Sequence, residues 1–220
     1  FGTGKYIERA DSTNTDRQSF YGVWDKDLCE VGGDLRACIL IPPNESRRHH
    51  RVEFDRSNLV AQNISAQTDS EREVTDLNVD WNTQYGWYLD FPAQVNQPAE
   101  RVIAQASLRG GMVLFPTFIP SEDVCGGMGN GWLMALSRIN GGALDYEPFF
   151  SNRGDIDNEN TPNPPSSGRS IDTQLMETSI LGCGSHSCVV SDELGNMEQI
   201  NEGMQWGRWQ WQMLQGAQPE

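Results

Sequence analysis

The 220-residue chain contains no apolar run long enough to span a membrane or to form the core of a signal peptide. It also lacks the long stretches of Ala, Leu, Glu and Lys that build helical bundles, and no amphipathic helix emerges from its periodicity. Basic residues are scarce: 16 Lys and Arg stand against 31 Asp and Glu, for a formal charge of −15. Such a surface repels phosphate backbones and anionic lipid, which excludes nucleic-acid binding and direct membrane insertion. The carboxylates are spread along the chain and form no acidic tail. Catalytic signatures are missing as well. There is no GxSxG elbow, no HExxH helix and no GxxxxGKS phosphate loop. Zinc spacing of the CxxC or HxxxH type is absent too. His49 and His50 sit in a basic run expected to face solvent, and His186 lies between two cysteines. The chain opens at Phe1 rather than at an initiator methionine, so it reads as a piece of a longer or processed protein.

What is abundant is glycine (22), proline (11) and tryptophan (7), the composition of many short strands joined by turns. Strands are expected at 1–7, 19–25, 36–41, 51–54, 73–81, 85–91, 100–108, 112–119, 132–139, 188–191 and 208–214. Pro116 argues for an edge strand or a bulge in the run after Met112. Residues 58–73 are compatible with a strand, a loop or a short helix. One internal echo stands out. Phe1-Gly2-Thr3-Gly4 is followed, after a polar loop, by Phe20 to Asp25; Val113 to Thr117 is followed, after a Cys- and Gly-rich loop, by Trp132 to Leu136. Repeated strand–loop–strand units are how propellers are built. At about forty residues per blade the chain supplies only part of a ring. The expected class is therefore all-β: residues 1–220 form the C-terminal portion of a β-propeller, with an acidic and then Ser/Pro-rich loop over 152–170.

Five cysteines point to an oxidising compartment. Cys183 and Cys188 enclose Gly-Ser-His-Ser, and Cys29 and Cys38 flank a turn-like Val-Gly-Gly-Asp, so each pair is a candidate disulfide, with Cys125 left over. Asp155, Asp157 and Glu159 alternate as the first oxygen ligands of an EF-hand-like calcium loop do. Asn160 stands where glycine is expected, however, and Ser166 stands where a bidentate carboxylate would close the site. The bland reading is a solvated acidic loop. The same loop displays Arg153-Gly154-Asp155, the tripeptide integrins recognise, although three residues match readily by chance. Trp206, Trp209 and Trp211 cluster near the end, fitting inter-blade packing better than a stacking platform for sugars.

Several stretches resemble the C-terminal region of the PilC/PilY family. They are Phe1-Gly2-Thr3-Gly4-Lys5-Tyr6 with Gln18 to Asp25, then Gly86-Trp87-Tyr88-Leu89-Asp90, then Glu100-Arg101-Val102. Phe115 to Cys125, Gly131-Trp132-Leu133 and the closing Gly207 to Leu214 complete the series in order. The resemblance implies a modified C-terminal propeller in a long exported protein. It also implies a non-enzymatic role in type IV pilus assembly, in opposing retraction and in adhesion at the pilus tip. Implied partners are pilins or minor pilins and a host or surface receptor, with calcium as the one expected cofactor. The competing readings are a secreted propeller enzyme acting on glycans or using a quinone, and a purely structural propeller segment.

Overall fold

Two continuous apolar runs, Met112 to Phe115 and Trp132 to Leu136, lie side by side and are buried throughout. A strand with only one face in the core would alternate apolar and polar residues; an unbroken run needs both faces covered. The computed structural model describes residues 1–24, 28–31, 33–37, 48–50, 54–93, 97–121, 129–149, 165–171, 179–183, 187–191 and 197–201. In chain order the first strands are β1 (Ser19–Val23), β2 (Leu28–Val31), β3 (Asp34–Ala37), β4 (Arg48–His50), β5 (Val60–Gln62), β6 (Ile64–Gln67), β7 (Glu71–Val74) and β8 (Gly86–Asp90). They continue with β9 (Ser107–Arg109), β10 (Met112–Pro116), β11 (Ile119–Pro120), β12 (Gly129–Ser137), β13 (Gly168–Ile171), β14 (Ser179–Cys183), β15 (Ser187–Ser191) and β16 (Met197–Asn201). The only described helical pieces are single 3-10 turns at Arg9–Thr13 and Arg56–Asn58.

The large sheet runs β6-β7-β13-β12-β10-β9, with β11 also on β12. Three-stranded sheets β1-β8-β5, β14-β15-β16 and β3-β2-β4 accompany it, and among the described residues they do not close into a ring. The all-β expectation holds, with one departure: β5 runs parallel to β8.

One face of the large sheet packs on β1-β8-β5. Phe20, Trp87 and Leu89 from the small sheet meet Val113, Phe115, Trp132, Met134 and Leu136 from the large one. Phe20 stacks on Phe115 with ring centroids 3.8 Å apart. The opposite face holds Met112, Leu114, Leu133 and Ala135 under Leu144, Phe149 and Ile200. Ile200 belongs to β16 and bridges Phe149, so the third sheet is tied to this second face. Each fully buried large apolar side chain contributes roughly 1.5–3 kcal/mol, which makes the central layer the main source of stability. Gln62 joins the first interface. Its amide donates to the Leu77 and Asn140 carbonyls at 2.7 and 2.8 Å, while its oxygen accepts from Thr75 Oγ1 and Leu77 N.

The internal echo is real as geometry, since both units form antiparallel pairs. Gly2 bridges Phe20, and Val113 lies opposite Leu136. Residues 1–7, expected as a strand, carry only that bridge. Pro116 is not on an outer strand, because β10 lies between β9 and β12. Thr117 N–H donates to Trp132 O and Arg138 N–H to Gly111 O, so odd-numbered residues of β10 face β12 and even-numbered ones face β9. Register with β9 ends at Leu114 opposite Ser107, and the donorless Pro116 nitrogen therefore points past its end.

Residues 58–73, open in sequence between strand, loop and short helix, hold β5, β6 and the start of β7 after a 3-10 turn. One further expectation changes. The expected Ser/Pro-rich linker up to Ser170 includes β13, an interior strand between β7 and β12. Ser167 already spans the gap: its N–H donates to Arg72 O, its oxygen accepts from Ala135 N, and its hydroxyl accepts from Val74 N. Ser166 and Ser167 disguise the entry to a core strand here because their hydroxyls and backbone, not their bulk, make the contacts.

Candidate functional site

The acidic loop begins and ends on one carboxylate. Glu147 Oε1 accepts from Phe149 N at 3.1 Å and Oε2 from Ser166 N at 2.9 Å, so the two flanks of residues 150–164 are tied together. Asn201 of β16 completes the base, donating from its N–H to Pro148 O and from Nδ2 to Glu147 O. The expected calcium ligands Asp155, Asp157 and Glu159, and the Arg153-Gly154-Asp155 tripeptide, lie outside the described residues, as does the Trp206, Trp209 and Trp211 cluster. Among the described residues no group of three His, Cys, Asp or Glu side chains could hold a metal.

Burial pushes the Glu147 carboxyl above its ordinary pKa, with nearby Glu71 adding to the rise, against the two backbone donors and Arg169. A raised carboxylate pKa means the folded state holds its proton to higher pH than the unfolded chain. The contribution is therefore full in the acid range and declines as pH rises through the raised value. Glu147→Gln should remove that part of the pH dependence. It should also cost about 1–2 kcal/mol, because the amide nitrogen cannot accept the second backbone N–H. The checks are urea unfolding across pH and amide exchange at Ser166.

The cysteines stand as follows. Cys29, on β2, is fully buried and disulfide-bonded; Cys38, its expected partner, lies outside the described residues. The turn between them forms as expected, closing the β2–β3 hairpin with Gly33 at φ +92°. Cys183 and Cys188 face each other in register across β14 and β15. The basic run expected as a solvated stretch contributes β4, paired with β2.

The residues that carried the family resemblance turn out to be joints. Glu100 pairs with Arg72 of β7 through two bonds of 2.6 and 2.7 Å, both side chains fully buried. Arg101 donates to four carbonyls: Ala99, Lys5, Asp11 and Asn14, at 2.7–3.0 Å. Burial pulls its pKa down from the ordinary arginine value. Val102 closes the motif against Gly2, where a Cβ would come within 2.3 Å of its own. The opening Phe-Gly-Thr-Gly and the later Glu-Arg-Val therefore lock together. Arg101→Lys should loosen residues 5–14, because an ammonium cannot present four donors in a planar fork. Hydrogen exchange over that segment should accelerate at least tenfold while the central sheet stays protected. Spacing alone could not reveal these roles, since Arg72 sits in Glu-Arg-Glu and Glu147 in Tyr-Glu-Pro, both of which look like surface.

Comparison with known proteins agrees with this architecture. No family model matches the chain. A type IV pilus biogenesis factor PilY1 homolog from Xylella fastidiosa is 30% identical over 160 residues, covering 70% of this chain and 9% of that protein. The type IV pilus biogenesis factor PilY1 of Pseudomonas aeruginosa PAO1 is 30% identical over 176 residues, covering 72% of this chain and 14% of the relative. This chain thus spans a small fraction of the length of these relatives. The crystal structure of the Pseudomonas aeruginosa PilY1 C-terminal domain superposes with a TM-score of 0.67 at 26% identity, over 93% of this chain and 41% of that one. On sequence and fold together, the chain is homologous to the PilY1 type IV pilus biogenesis factors and shares the fold of the PilY1 C-terminal domain.

Proposed function

We propose that this chain works as a non-enzymatic component of the type IV pilus machinery, exported to the outer surface and placed at the pilus tip. There it supports assembly, opposes retraction and mediates adhesion, with pilins or minor pilins and a surface receptor as its partners. The observation that carries the reading is the match to the PilY1 C-terminal domain over nearly the whole chain. The burial of Glu100, Arg101 and Val102, which carry the family resemblance, at structural joints supports it. A rigid layered β scaffold presenting loops is suited to binding and commits to no chemistry.

In this reading the 152–170 region meets the partner, and calcium bound by Asp155, Asp157 and Glu159 orders it. Glu147 would hold the base of that loop in place. Arg153-Gly154-Asp155 is the stretch to test should the receptor be an integrin. The disulfides are Cys29–Cys38 and Cys183–Cys188. Calorimetry on the Asp155→Ala, Asp157→Ala double variant tests the metal: unchanged calcium binding removes it from the account. Peptide mapping without reductant tests the pairings.

The deciding experiment deletes the segment in the source bacterium, counts surface pili by electron microscopy and assays attachment in parallel. Loss of pili assigns the segment to assembly or to opposing retraction. Normal pili with lost attachment make it an adhesin, and no change in either overturns the proposal.

A further inference from the structure

We draw no further inference here: the strongest candidate, the outer edge of β9 with the two apolar clefts beside it, carries nothing, because Lys5 in one cleft is already paired with Glu8 and Asp11 and nothing in the structure shows what covers that face.

Discussion

Glu100→Gln is expected to lower stability by about 3–5 kcal/mol, the typical cost of leaving one half of a buried ion pair without its counter-charge. Arg72 and Glu100 are both completely inaccessible to solvent, and their two parallel bonds use the geometry that guanidinium and carboxylate share. The arginine also donates from Nε to Gln67 and lies 4.0 Å over the Trp132 ring, so it cannot swing out to find water. In a chain of this size the loss should move the melting temperature down by on the order of 10 °C. Replacing both partners together, Arg72→Met with Glu100→Leu, should recover most of that loss, because the desolvation cost of the charges disappears with them. Thermal unfolding of the two single variants and the double variant decides the matter. Single variants within about 1 kcal/mol of the parent would show that the pair does not bear on the core.

Trp87→Ala is expected to be as damaging, at about 3–5 kcal/mol. The indole is 2% exposed and is held between two glycines. A Cβ on Gly22 would come within 2.3 Å of one edge of the ring system, and a Cβ on Gly141 within 2.0 Å of the other. Gly22 lies directly opposite Trp87 in the β1–β8 register, while Gly141 arrives from the turn after β12 at φ +70°. The slot exists only because neither neighbour has a side chain. Gly141→Ala should therefore cost about 1–3 kcal/mol by overpacking, with about 1 kcal/mol more for the left-handed backbone. Gly22→Ala should suffer the overpacking alone, and chemical denaturation can resolve that difference. Equal losses at the two positions would count against a backbone contribution at Gly141.

These positions show where the fold was legible from sequence. β1, β8, β10 and β15 announce themselves through aromatic and β-branched residues bounded by turn formers, and each lies close to its expected place. β13 was invisible because Gly-Arg-Ser-Ile, after Ser166 and Ser167, has the composition of a linker. Its burial comes from backbone pairing with β7 and β12, a long-range event that local composition does not encode. β6 and β7 were blurred for a related reason: strand alternation places the charged Arg72 inward, against the rule that charge marks surface. The family motifs were readable as motifs, but not as joints. That Glu100 reaches Arg72 while Arg101 reaches the carbonyls of residues 5–14 depends on long-range placement that the local sequence does not encode. The acidic loop was conspicuous from its spacing, whereas its anchor Glu147 sits among aromatics and carries no spacing signal of its own.

The long reach of the Arg101 and Ser167 bonds has a bearing on the order in which the molecule can take shape. Arg101 gathers carbonyls from residues 87 to 96 positions earlier in the chain, and Ser167 receives Val74 across 93 positions. Emerging vectorially from a ribosome or a secretion pore, the first fourteen residues must wait for residue 101 before their turn can be fixed. The β10–β12 hairpin can form with neighbours close at hand, but the β13-facing sides of β7 and β12 stay bare until Gly168 arrives. Contacts of such separation slow folding, because loop closure comes before the reward. The interval leaves two bare strand edges that favour escort by a chaperone and make interrupted synthesis hazardous.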